Sequence, residues 1–341
     1  MFDAVFVGGG VIGLSCAWRA EQAGLHVCVL ERDRAGSGAS RVAAGILAPD
    51  SEAEPGHEPF VPLARRSLAL YPEFVEELGA DVGFWPSGML VVAVDGDEVE
   101  QIQHEFRGLQ WLTSSECRTL EPGLATAVRG GLVSEQEASV DPRRLVDALA
   151  AHVDVREGVD VTSVARDSVT TATGETIRAG RVVVCAGAWS GVAGVPVRPV
   201  KGQVVRLRGE LPAQRMIRTE HVYVVPRQNG EVVVGATVEE RGFDTTVTAG
   251  AVHDLLREGY RVLPELAELE LVDASAGLRP GSPDNGPLIG ELEDGVLVAT
   301  GHYRNGILLA PVTAEATTAL LTDEEPPAEV LPFAPDRFAR V

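Results

Sequence analysis

The chain has no apolar run long enough to cross a bilayer, and its first residues lack the basic stretch followed by an apolar one that marks a secretory leader. The glycine motif described below begins almost at residue 1, which leaves no room for such a leader. A soluble, cytoplasmic protein without a membrane partner is therefore expected. Cysteine is scarce: Cys16, Cys28, Cys117 and Cys185 are scattered, with no CxxC pair and no zinc spacing. They read as reduced core or helix residues, and no metal site is expected. Positive charge is also in deficit, with 29 Lys+Arg against 50 Asp+Glu and a net charge of −21. Such a surface repels nucleic acid phosphates and anionic membranes, which excludes both as expected partners. Internal repeats and low-complexity segments are absent. What remains is 341 residues, 45% of them hydrophobic, enough for two domains or one large interleaved unit with a substantial core.

The stretch that organises the rest is DAVFVGGGVIGLSCAWRAEQAGLHVCVLE, residues 3–31. It reads as an apolar strand, a turn with Gly8, Gly10 and Gly13 in G-x-G-x-x-G spacing, a helix opening at Val11 and Ile12, and a second strand ending in Glu31. Gly8 permits the tight turn, Gly10 lets backbone approach a pyrophosphate, and Gly13 lets the helix lie close on the sheet. The helix N-terminus, with its free N–H groups and dipole, then faces the phosphates. Glu31, eighteen residues beyond Gly13, is placed to accept hydrogen bonds from ribose hydroxyls. That favours FAD or NAD over NADP.

Downstream, the small-residue block from Ala35 to Ala48, with Ser40, Ala43, Ala44 and Gly45, allows backbone N–H groups to reach a flat ligand. Residues 60–79 carry Leu68, Tyr71, Val75 and Leu78 at helical spacing and read as a packing helix with no evident chemistry. Asp141-Pro142 is a helix start, Asp as N-cap and Pro at the first helical position. The apolar run Val182–Cys185 ends in Ala186-Gly187-Ala188-Trp189, which makes Gly187 a second candidate for nucleotide contact beyond a strand end. Asn229-Gly230 between VYVVPRQ and EVVVGA is a hairpin turn, and strand alternation puts His221, Tyr223 and Val225 on one face. His104 reads as a surface residue. Arg279 lies in GLRPG, read as a constrained loop, where a guanidinium can take a carboxylate through two parallel hydrogen bonds. The last helix is expected to begin near Asn305 and Gly306, with its N-terminus favouring negative charge on a bound ring. The acidic tail from Asp323 is expected to be loosely held.

GGGVIGLS, GASRVAAGILAP, VYVVPRQNGEVVVGATVEERGFD, AGLRPGSPDNGPLIG and GHYRNGILLAP together resemble the glycine-oxidising, thiamine-pathway branch of the D-amino acid oxidase family of flavoproteins, over residues 3 to about 322. The resemblance implies a mixed α/β fold. A Rossmann-like FAD-binding domain at 1–75, 139–199 and 275–341 would be interleaved with a mainly antiparallel β-sheet substrate domain at 76–138 and 200–274. It implies noncovalent FAD, held by Gly8, Gly10, Val11, Ile12, Gly13, Glu31, Arg32, Ser40, Ala43, Ala44, Gly45, Val161, Gly187 and Trp189. His302, Arg304, Asn305, Gly306 and Ile307 would border the flavin ring. Substrate roles fall on Tyr223, Arg279 and Arg304, with His221 and Val238 in the pocket. Arg41 departs from the pattern, standing where the family often has a neutral or aromatic residue.

The implied reaction is oxidative deamination of glycine, small amines or D-amino acids. A hydride passes from Cα to flavin, O2 is reduced to H2O2, and the imine hydrolyses to an oxo acid and ammonia or supplies the thiazole of thiamine. A homotetramer is also implied. Sarcosine oxidase-like and D-amino acid dehydrogenase activities are the alternatives within this fold. A NAD-dependent dehydrogenase accounts for residues 3–31 but leaves GHYRNG unexplained.

Overall fold

The computed structural model describes residues 1–51, 59–106 and 110–338; the last residues of the tail lie outside them. Chemistry of the N-terminal stretch sets the first sheet. Phe2–Val7 pairs in parallel with Val27–Glu31 on one side and Thr176–Val184 on the other. The sheet extends to Val155–Glu157 at one edge, and through Leu297–Thr300 to the antiparallel strand Leu288–Glu291 at the other. Both faces are covered, so its central strands are continuous apolar runs rather than alternating ones. Ala4 and Phe6 pack under the helices Val11–Gln22, Phe60–Leu78, Pro142–Ala150 and Ala310–Leu321. Val5 and Val7 face the layer of the short strands Val161–Ala165 and Ser168–Thr171. Each large side chain so buried contributes about 1.5–3 kcal/mol, so a one-residue slip of this strand would exchange both faces at once.

The second sheet runs Glu270–Gly281, Arg198–Arg208, Glu231–Gly235, Tyr223–Pro226, Met216–Arg218, Met89–Ala93, Gly130–Ser134, Leu112–Thr113. It is antiparallel except where Met216–Arg218 meets Met89–Ala93. The Asn229-Gly230 hairpin joins Tyr223–Pro226 to Glu231–Gly235, and helix Ala249–Val262, capped by the Thr248 hydroxyl, covers its outer face. Asp141 caps Pro142–Ala150 by accepting the N–H of Arg143 and Arg144. All four cysteines are free and buried.

Two buried arginines tie the sheets together. Arg206 is fully buried, is paired with Glu231, and donates to the carbonyls of Arg41, Val42 and Ala43 at 3.2 Å each. Arg227 pairs with the same Glu231 at 2.9 Å and donates to the carbonyls of Val140 and Ala44, both at 2.8 Å. Burial pushes both guanidinium groups below their ordinary pKa, yet arginine keeps its charge in proteins. Main-chain carbonyls of the small-residue block thus supply the dipoles that solvate these cations.

Three expectations need correction. Arg279 is not in a loop: it lies within the long strand Glu270–Gly281, opposite Val200, because a regular ladder to Arg198–Arg208 satisfies its backbone. The last helix begins at Ala310, with Pro311 in its first turn; residues 303–309 form a separate turn in which Leu309 N–H bonds the Asn305 carbonyl at 2.8 Å. The tail is held: Val330 and Phe333 are buried in the main core, and Arg337 pairs with Asp284 at 2.9 Å.

Candidate active site

A cleft of about 670 Å³ is lined by residues of both sheets. On the first sheet's side, Gly8 has φ +111, and a Cβ there would press on the Cys185 carbonyl. A Cβ on Gly13 would strike the Gly8 carbonyl oxygen, so glycine is required for the helix to close on the strand. Gly10, at the helix N-cap, has no side chain to cap the first turn; Ser40 Oγ accepts the Val11 N–H at 2.9 Å. Glu31 accepts the N–H of Gly9 at 2.7 Å through one carboxylate oxygen and that of Asp33 at 2.9 Å through the other, which fixes the acid at the cleft edge. Arg32 lies 4.5 Å from the Trp189 ring centroid, a cation–π contact. A cradle of glycines before a helix N-terminus, with a fixed carboxylate beside it, fits a dinucleotide.

Gly8, Gly10, Val11, Ile12, Glu31, Arg32, Ser40, Ala43, Ala44, Gly45, Val161, Gly187 and Trp189 all line the cleft, as do His302, Arg304, Asn305, Gly306 and Ile307. Gly13 does not; it lies behind the turn, in the helix-to-strand contact. Arg41 stays outside the lining, exposed and paired with Asp147 at 3.1 Å, so its charge points away from the small-residue wall.

The turn bearing Arg304 is held from three sides. Helix Phe60–Leu78, expected only to pack, reaches it chemically: Ser67 Oγ donates to the Leu308 carbonyl at 2.7 Å and Tyr71 to the Ile307 carbonyl. His302 is buried and its Nε2 lies 3.0 Å from Thr313 Oγ1. Burial pushes its pKa down to about 3, so it is neutral at physiological pH. Tyr303 takes a positive φ of 49 and donates its N–H to the Pro280 carbonyl at 2.9 Å, one residue from Arg279.

On the second sheet's side, Tyr223, Arg279, His221 and Val238 line the same cleft. Arg279 Nη1 donates to the Thr237 carbonyl at 3.0 Å and, more weakly, to that of Lys201 at 3.4 Å. Its guanidinium passes over Gly202, where any Cβ would collide with it. The Tyr223 hydroxyl occupies the space that a Cβ on the paired Gly235 would need, 2.5 Å away. Two strand glycines therefore make room for the two polar side chains. The signal was present in VKGQVV and VVVGAT, since a glycine inside a valine-rich strand marks close approach. Reasoning from sequence also missed Arg218, Phe243, Thr245 and Tyr303, which line the cleft; nothing in their local patterns distinguishes them. At its lip Glu98, Glu220 and His221 bring three potential ligand atoms within 4.8 Å of one another, but Glu220 and His221 are exposed.

The model of the FAD dependent oxidoreductase family, DAO, matches residues 3–320. The chain is 34% identical to the glycine oxidase of Geobacillus kaustophilus over 98% of itself and 96% of that protein. It is 35% identical to the bifunctional protein ThiO/ThiG of Trichormus variabilis over 99% of itself, and spans 55% of that longer relative. The crystal structure of glycine oxidase from G. kaustophilus superposes with a TM-score of 0.93 at 33% identity, covering 98% of both chains.

Proposed function

Because the chain belongs to the family of FAD dependent oxidoreductases, with FAD as its cofactor, we propose that it oxidatively deaminates glycine and other small amino acids or amines. The observation that carries this reading is the pair Arg279 and Tyr223, each seated over a strand glycine in the cleft that also contains the dinucleotide cradle. Arg279 takes the substrate carboxylate as a bidentate pair, which sets direction as well as charge. The Tyr223 hydroxyl donates to the same carboxylate. His221 and Val238 line the same cleft and are read as the pocket residues beside it. The amine binds neutral, with an N–H accepted by the Arg304 carbonyl or its neighbours, so no side-chain base is assigned. His302, neutral and tied to Thr313, holds the turn without adding charge to it. The chemistry that bound FAD supplies is acceptance of a hydride from the amino acid Cα and its passage to O2 as H2O2. The orientation is the protein's part.

The product imine of glycine hydrolyses to glyoxylate and ammonia, or leaves intact to supply the thiazole of thiamine. A cytoplasmic homotetramer belongs to the same proposal, tested by light scattering of the purified holoprotein and by fractionation of cells. For the activity, peroxide release is measured across glycine, sarcosine, D-alanine and D-proline. Use of glycine and sarcosine with poor use of bulkier D-amino acids is expected; a strong preference for D-proline over glycine overturns it. Reduction of a dye without peroxide would assign a dehydrogenase instead.

A further inference from the structure

Lys201 is the sole lysine in a chain otherwise supplied with arginine, and it is 1% exposed. A buried ammonium is costly unless paired. Its Nζ lies 2.7 Å from Asp244 Oδ2 and 4.0 Å from Glu239 Oε2, both on the segment that follows strand Glu231–Gly235. That segment carries Val238, Phe243 and Thr245 along the cleft, and Phe243 packs on Trp189 with centroids 5.4 Å apart. We propose that Lys201 is a positioning residue: by clamping residues 237–248 along strand Arg198–Arg208, it fixes the Arg279 guanidinium and thereby sets affinity for the substrate carboxylate. This rests on the carboxylate-binding reading of Arg279 given above.

The linkage runs through a continuous ladder. Lys201 and Glu239 exchange backbone hydrogen bonds at 2.9 and 3.0 Å. The Glu239 carboxylate accepts from Thr237 Oγ1 at 2.6 Å and from Gln203 Nε2 at 2.7 Å. Gln203 is buried, and it also accepts the Thr248 N–H at 2.8 Å while its own N–H reaches Thr237 Oγ1 at 3.0 Å. The two carbonyls that receive Arg279 Nη1 are those of Thr237 and Lys201, so both belong to this ladder. Withdrawing the ammonium leaves Asp244 and Glu239 facing each other's charge without a cation between them, and releases the Thr237 carbonyl that aims the arginine. The hydrogen bond from Lys201 is the leading reason that the Asp244 carboxyl is held well below the usual carboxylate range, which fits a standing ion pair. Gly8, Gly10 and Gly13 lie on the other sheet's side; Phe243, packed on Trp189, is where the clamped segment reaches the cleft's first wall.

The test uses FAD-loaded protein and two readouts: the change in flavin absorbance on titration with glycolate, a small carboxylate without an amine, and steady-state oxidation of glycine. Lys201→Met is expected to weaken glycolate binding and raise the glycine KM by roughly tenfold or more, with kcat within about twofold and flavin content unchanged. Asp244→Asn keeps the acceptor for the Thr246 N–H and lies at the surface, so it folds whether or not the methionine variant does. It is expected to shift both readouts the same way by roughly threefold, and the double variant to be no worse than Lys201→Met alone. Unchanged glycolate affinity and KM in both variants, or equal losses of kcat and flavin, would overturn the proposal. Arg279→Ala in the same titration separates the two claims. Loss of glycolate binding there with none in Lys201→Met defeats the clamp alone, whereas retained binding in Arg279→Ala defeats the carboxylate reading and the clamp with it.

Discussion

The two walls of the cleft are built on different principles. The first sheet's wall is made largely of backbone from one continuous stretch: Gly8 and Gly10 at a helix N-terminus and the Glu31 carboxylate line it, with Gly13 closing the helix on the strand behind them. The second sheet's wall is made of side chains from separate strands, Tyr223 and Arg279, whose aim depends on glycines and carbonyls of yet other strands. At Gly8 and Gly13 the first wall is closed by backbone, which leaves no room for an added atom. At Gly202 and Gly235 the second is closed by the side chains of Arg279 and Tyr223, which must also be aimed. Arg206 and Arg227 join them, since both reach from the second sheet to the carbonyls at 41–44.

If the walls are separable in this way, the largest effect comes from closing the first. Gly13→Val drives a branched side chain into the Gly8 carbonyl; flavin content below about a tenth of the parent's and a stability loss of about 3 kcal/mol are expected. Absorbance per mole of purified protein checks it. A fully flavinated valine variant would show that the strand and helix can part without harm.

Next is the joint. Arg227→Met leaves Glu231 buried with only Arg206 as partner, which is expected to cost about 3 kcal/mol in urea denaturation and to speed flavin release, because the Ala44 carbonyl loses its donor. Flavin retained at the parental rate would mean that the walls are joined elsewhere.

On the second wall alone, Tyr223→Phe removes one hydroxyl. The expected outcome is a glycine KM raised roughly tenfold, about 1.4 kcal/mol for a hydrogen bond to a charged group, with parental flavin binding. Any drop in flavin content would show that the tyrosine serves both sides.

How far this division was legible in the chain follows from the same contrast. Residues 3–31 carry their meaning locally, because turn, helix and acid are adjacent and each residue type has one reason to be there. The hairpin at Asn229-Gly230 and the Asp141 cap were readable for the same reason. Arg279 was not placed correctly as an element: glycine and proline on either side of it look like a loop, and only the long partner strand Arg198–Arg208 makes it a strand. The part that Ser67 and Tyr71 play in holding the turn at 303–309 spans more than two hundred residues and leaves no periodic trace. Gly202 and Gly235 did leave one, as interruptions of valine runs, and the rule that strand glycines mark close approach would have found them.

The smallest effect concerns the turn that both walls share. His302 has its pKa depressed by burial from 6.5 to about 3, so the unfolded chain binds the proton first. The stability it contributes is whole above pH 6.5 and drains away as pH falls toward 3. Between pH 7 and 5.5 the loss from this group is about 1 kcal/mol. Urea midpoints at the two pH values should differ less in His302→Asn by that amount; an identical pH dependence would mean that the imidazole charges without penalty.

The most direct test of the division is Arg279→Ala, measured in one preparation for FAD affinity and for glycine oxidation. If Arg279 has the proposed carboxylate role, its removal is expected to lower kcat/KM for glycine roughly a thousandfold, about 4 kcal/mol, while FAD binds as tightly as in the parent. Parental glycine turnover, or loss of FAD together with activity, would contradict the account.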